Sequence, residues 1–184
     1  MGLFVNSEAL PKLAWFQYLL GDATQSVQTL HTAAAHQKDE SKALSLYYRG
    51  TILNRLGRHN EALATLDEAL VERDDLILAR QEKGESLWQL GRREEAVSVW
   101  TDAVKRNPQL ALVNNELAGA ALASGKRDVA EVYEKQADKF TPNNPLYHWV
   151  LGRRLQDLGM TQLAEKHFGQ AGQAGPGTGT PNQL

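Results

Sequence analysis

Small and apolar side chains recur along this chain with a fixed step. Gly50, Gly84, Ala118 and Gly152 are each 34 residues apart (84−50, 118−84, 152−118). Gly57, Gly91, Gly125 and Gly159 keep that step, and so do Ala62, Ala96, Ala130 and Ala164. Ala69, Ala103, Ala137 and Ala171 follow the first alanine set by seven residues. Leu44, Leu78, Leu112 and Leu146 open the units, and Asp74, Pro108, Pro142 and Pro176 close them. A period of this size marks one supersecondary unit that buries its apolar face against copies of itself.

Each landmark predicts a local structure. The first small residue falls midway along a first helix, where a neighbouring helix must come close. The invariable glycine ends that helix in left-handed geometry. A basic residue follows it in Leu56-Gly57-Arg58, Leu90-Gly91-Arg92 and Ser124-Gly125-Lys126, and Met160 stands there in the last unit. Two alanines seven apart share one face of a second helix and let it pack on the first. Proline stops that second helix in three of the four units. Asn107-Pro108, Thr141-Pro142 and Gly175-Pro176 read as loop openings. A weaker unit precedes these: an apolar helix over Leu10–Leu20 with Pro11 in its first turn, a Gly21-Asp22 turn and a second helix over Ser26–Ala35. Gly21 aligns with Gly57 at a spacing of 36 (57−21), so two residues are inserted within His36–Lys42. Residues 172–184 are rich in Gly, Pro and Thr and read as a linker or tail. No polar capping helix is evident after Ala171.

A helix–turn–helix unit of this length resembles the tetratricopeptide repeat. The family pattern reads here as Leu151-Gly152, Leu155, Gly159, Ala164, Phe168, Ala171 and Pro176 in the last unit. In the second it reads Gly84, Leu87, Gly91, Ala96, Trp100, Ala103 and Pro108. Arg49 and Lys83 replace the leucine before the glycine, and Glu134 stands where an aromatic is usual, with Tyr133 beside it. The resemblance implies an all-α, right-handed superhelical solenoid of stacked antiparallel helix pairs. The expected organisation is an extension over 1–7, a degenerate hairpin over 8–42, repeats over 43–76, 77–110, 111–144 and 145–174, and a tail over 175–184.

In the resembled family the first helix of each hairpin lines a concave face. The matching positions are Tyr47, Thr51, Asn54 and Arg55, then Gln81, Glu85, Trp88 and Gln89. Asn115, Gly119, Leu122 and Ala123 follow, then Trp149, Arg153, Gln156 and Asp157, and Trp15 and Tyr18 extend the row. Aromatic side chains supply apolar contact at small entropic cost, and Asn and Gln can bond an extended main chain from both sides. Trp88 and Trp149 are therefore the expected anchors and Asn115 and Gln81 the expected main-chain partners. The competing reading is that these side chains pack between helices, as Trp100 is expected to do. The family's chaperone-tail clamp needs Lys and Asn where this chain has Tyr47 and Thr51, so that ligand is not expected.

Composition adds exclusions. Lys plus Arg number 20 against 22 Asp plus Glu, giving a net charge of −2, which lacks the basic excess of a dedicated nucleic-acid binder. Arg58, Arg92, Arg93, Lys126 and Arg127 cluster at the hairpin turns, where solvated charge is the simpler account than an acidic partner or membrane. The chain has no cysteine, so disulfide and thiolate chemistry are excluded. No apolar run reaches the roughly 20 residues of a membrane helix. The first residues lack the features of a signal peptide, which makes the cytoplasm the default compartment. A periplasmic or membrane-anchored protein is expected instead if an upstream segment has been removed. No phosphate loop, nucleophile elbow or helical zinc motif is present, and none of His31, His36, His59, His148 and His167 pairs with another at i, i+4.

Neither enzyme activity nor a metal or cofactor is expected. The expected function is a scaffold or adaptor that holds a protein or peptide partner in the groove. The alternative is a structural subunit of a larger, possibly envelope-associated assembly that joins copies of itself through an uncapped terminal repeat. Alanine richness and the absence of cysteine resemble bacterial proteins of that kind.

Overall fold

The computed structural model describes residues 9–173, and within them the chain folds into ten α-helices and no strand. These are α1 (Ala9–Leu19), α2 (Ala23–His36), α3 (Asp39–Arg55), α4 (His59–Glu72) and α5 (Ile77–Gln89). They continue as α6 (Arg93–Arg106), α7 (Ala111–Ala123), α8 (Arg127–Asp138), α9 (Pro145–Asp157) and α10 (Thr161–Gln173). The expected extension over 1–7 and tail over 175–184 lie outside the described residues.

The turns follow from glycine. Gly21, Gly57, Gly91, Gly125 and Gly159 all have φ between 71° and 90°, a region closed to most L-residues. At Gly57 the amide N–H donates to Asn54 O at 2.9 Å, and Arg58 N–H donates to Leu53 O at 2.9 Å. This paired closure satisfies the last carbonyls of α3 and reverses the chain into α4. The helices that follow are started by side chains in two cases. Asp22 accepts from Gln25 N–H at 3.1 Å, and Asn144 accepts from Leu146 N–H at 2.9 Å ahead of Pro145.

The chain divides into two compact units, Met1–Val99 and Trp100–Leu184. In the first, α1 to α5 pack in chain order, each on the next, and α1 touches α3 as α3 touches α5. Its interior is built from Ala14, Leu30, Leu46, Ile52, Leu53 and Leu66. Gly50 is small because a Cβ there would lie 2.6 Å from Leu66 Cγ. In the second unit α7 pairs with α8 and α9 with α10, and α7 also meets α9 and α10. Trp100, Val113, Leu117 and Leu155 are wholly or almost wholly buried there.

Two boundaries differ from expectation. α3 begins at Asp39, a full turn before the equivalent of the first residue of α5, and this added turn takes up the inserted residues. It is tied to the end of α4 by Lys42–Glu72 and Arg73–Glu40 ion pairs, both at 2.5 Å. α8 stops at Asp138, ahead of Pro142, because the chain closes on Ala137: Thr141 donates to Ala137 O from both N–H and Oγ1 at 2.9 Å.

Candidate partner-binding surface

The first helices carry the expected recognition residues, and burial divides them sharply. In the first unit Thr51, Asn54, Gln81, Glu85 and Trp88 are buried. Thr51 Oγ1 donates to Tyr47 O on its own helix at 3.1 Å. Asn54 Nδ2 donates to Glu82 O at 3.0 Å, and Asn54 Oδ1 accepts from Ser86 Oγ at 2.8 Å. Asn54 therefore joins α3 to α5 and does not face solvent. Trp88 keeps one face under the Arg93 guanidinium, 4.6 Å from its ring centre, a cation–π contact. Arg55 and Gln89 are exposed, and Tyr47 is half-buried.

An aromatic row runs across α1 and α3. Tyr18 and Trp15 have ring centres 5.5 Å apart, Trp15 and Tyr48 6.3 Å, and Tyr48 and Tyr47 5.1 Å. All four residues are half-buried against the core. Tyr48 completes the row that Trp15, Tyr18 and Tyr47 suggest from sequence. It lies beside Tyr47 in the chain but outside the family's groove set.

In the second unit Asn115 is 1% exposed and is not open to a partner. Its Nδ2 donates to Ala111 O at 2.9 Å, and its Oδ1 lies 3.0 Å from His167 Nε2. His167 Nδ1 in turn lies 3.0 Å from His148 Nδ1. With the amide of Asn115 used as a donor, its oxygen takes the Nε2–H of a neutral His167, and His148 donates to the remaining ring nitrogen. Burial lowers the pKa of His167 to about 4, and His148 and Lys166 push the same way. Beside this chain of bonds, Arg154 Nε donates to the buried Glu116 carboxylate at 2.8 Å. Residue spacing carries no sign of the histidine pairing, because His148 and His167 lie on different helices.

Trp149, Arg153 and Gln156 are exposed on α9, and Arg153 Nη1 donates to Gln156 Oε1 at 3.0 Å. Leu122 is half-buried on α7, where it lines a cleft of about 230 Å³ with Gly119, Ala123, Met160 and Leu163. Gly119 serves packing, since a Cβ there would meet Met160 Sδ at 2.3 Å. A larger hollow of about 430 Å³ lies among Val104, Pro108, Val132, Tyr133 and Lys139, away from the expected row.

Two of the basic turn residues are neutralised locally. Arg58 grips Glu61, and Arg92 grips Glu95, each through two bonds of 2.7 Å. These bonds hold both carboxyls below their ordinary pKa. Among the described residues no group of three or more His, Asp or Glu side chains is placed to hold a metal. No helix among them is long and apolar enough to cross a membrane.

The pattern of the tetratricopeptide repeat matches residues 13–76 and 82–145, which is most of the chain. The chain belongs to the tetratricopeptide-repeat family. Its fold is all-α helical repeat, and the family's general role as a protein-interaction scaffold applies to it. Tetratricopeptide-repeat proteins are typically scaffolds and not catalysts. Solved structures share the fold. MamA from residue 41 to its end, from Desulfovibrio magneticus RS-1, is 20% identical over 95% of this chain and 100% of that one, with a TM-score of 0.66. TTC0263, a thermophilic tetratricopeptide-repeat protein in Thermus thermophilus, is 22% identical over 91% of each chain, with a TM-score of 0.69. A further MamA structure is 16% identical over 86% of this chain and 91% of that one, with a TM-score of 0.64. No curated protein matches the sequence significantly.

Proposed function

We propose that this repeat protein is a non-catalytic module that holds a peptide or helix of a partner protein on the solvent-facing side of its first helices. The observation that carries the reading is the division of its four tryptophans. Trp88 and Trp100 are buried and Trp15 is half-buried, whereas Trp149 is 38% exposed. Arg153 and Gln156 stand one and two turns further along the same helix. Tryptophan and arginine dominate binding hot spots because they bury large area and bond at its edge. In the first unit the half-buried Tyr18–Trp15–Tyr48–Tyr47 row, with Arg55 exposed two turns beyond Tyr48 on α3 and Gln89 exposed on α5, offers a second patch of the same chemistry. The polar side chains at Asn54, Gln81 and Asn115 serve cohesion in this reading, and the exposed set serves recognition. Nucleic acid is not the partner, since the balanced charge supplies no electrostatic driving force for a polyanion.

The test is capture followed by mapping. Partner proteins retained by the immobilised chain are identified, and overlapping peptides from them are titrated against it. Trp149→Ala combined with Arg153→Ala is expected to weaken binding at least tenfold without moving the melting curve. Unchanged affinity in that variant removes α9 from the binding surface.

A second reading, a structural subunit that joins copies of itself, is favoured by a separate observation: among the described residues, the first and last hairpins each leave an apolar helix face open to solvent.

A further inference from the structure

Repeat arrays end in polar faces when nothing is meant to follow them. Among the described residues, the first and last hairpins of this chain carry apolar ones. The step of 34 makes positions 116 and 150 equivalent, and Glu116 turns toward the next hairpin, where Arg154 meets it. Glu116 is 0% exposed, whereas Val150 is 53% exposed, and Leu146 one turn before it is 68% exposed. The other half of the same junction is position 154, equivalent to 52, 86 and 120, where Arg154 turns toward the preceding hairpin. Ile52, Ser86, Ala120 and Arg154 are all buried. The spacing of 36 that aligns Gly21 with Gly57 also aligns Leu30 with Leu66 and Phe16 with Ile52 (57−21, 66−30, 52−16). Phe16 is 62% exposed, and Leu13 on the same face of α1 is 48% exposed.

The two open faces are therefore the two halves of one junction. Inside the second unit that junction is occupied by the Glu116–Arg154 ion pair, which joins α7 to α9. At the first and last hairpins the same two positions are filled by Phe16 and Val150. An ion pair has become an apolar pair, and among the described residues no further hairpin covers either member. Glutamate or arginine left at these positions would have suited water; phenylalanine and valine suit contact.

Resting on the second reading above, we infer that α9 of one copy docks against α1 of a second copy, with Val150 and Leu146 meeting Phe16 and Leu13. The contact repeats in register the stacking already present between α7 and α9. It is heterologous, using different surfaces on the two copies, so it propagates into a ring or a filament and does not stop at a two-fold dimer. Because the contact is apolar, added salt leaves it intact, unlike an ion-paired junction. Trp149 occupies the position of the buried Gln81 and Asn115, so a second copy covers it. Self-stacking and partner binding on α9 then exclude one another.

Sedimentation of the full chain across a concentration series tests this. The expected result is a mass that climbs above the 20.4 kDa of one chain, with a concentration-dependent blue shift of tryptophan emission. Val150→Glu and Phe16→Glu each hold the chain at monomer mass. Mixed together they form a one-to-one dimer and nothing larger, because each retains the face the other has lost. Leu146→Lys and Leu13→Lys repeat the experiment at positions exposed enough to leave folding alone. A chain that stays monomeric at every concentration overturns both the inference and the assembly reading. Association that survives both glutamate variants, or that only one of them abolishes, overturns the assignment of these faces and leaves assembly by another route.

Discussion

His167 is wholly enclosed in the second unit and bonds through both ring nitrogens while neutral. Protonation adds a second N–H where His148 already donates, and it places a charge in an interior that cannot solvate it. The sign follows from the lowered value of about 4 against an ordinary 6.5. Between these limits the unfolded chain binds the proton and the folded one does not, so stability is full above about 6.5 and falls as pH drops toward about 4. The loss is on the order of 3 kcal/mol by the lower limit. Melting temperatures at pH 7.5 and pH 5 should differ by several degrees, and His167→Leu should flatten the difference. Equal slopes in the two chains would place the titration elsewhere. Asn115→Ala leaves the His167 N–H without an acceptor and is expected to cost about 1–3 kcal/mol in denaturant unfolding at neutral pH.

At the scale of the helix, close approach decides which glycines are needed. A Cβ on Gly152 would lie 2.7 Å from the Phe168 ring and 3.2 Å from Ala164 O, so α9 and α10 would have to separate. Gly152→Ala is expected to destabilise by about 1–3 kcal/mol. Gly169, on α10, meets nothing within 4 Å, so Gly169→Ala should stabilise by roughly 0.5–1 kcal/mol through the unfolded chain's lost freedom. Urea midpoints moving in opposite directions would verify the pair. The same contrast explains how far the sequence could be read. The glycine turns and the small positions repeat because they are dictated by backbone geometry and by one neighbour, and both act locally. The proposed recognition surface was legible only in part. Periodicity puts Gln81, Asn115 and Trp149 in one register, but whether that register is covered depends on what packs against it. Gln81 and Asn115 are buried, and Trp149 is not. The His148–His167–Asn115 chain spans α9, α10 and α7, and no spacing within a single helix announces it. In the last hairpin Phe168 packs on Gly152, and Leu146 and Val150 are the side chains left outside.

Across the whole molecule, the interior polar groups hold hairpins together, and in the proposed function the exposed first-helix groups meet other proteins. Calorimetric titration of one captured partner segment into three chains measures that separation most directly. The wild type, the Asn115→Ala chain held well below its lowered melting point, and the Trp149→Ala, Arg153→Ala chain are compared. The account predicts that the Asn115 variant binds as the wild type does, while the surface variant keeps its stability and loses at least tenfold in affinity. Full affinity in the surface variant, with binding lost on removal of the Asn115 amide, would contradict it.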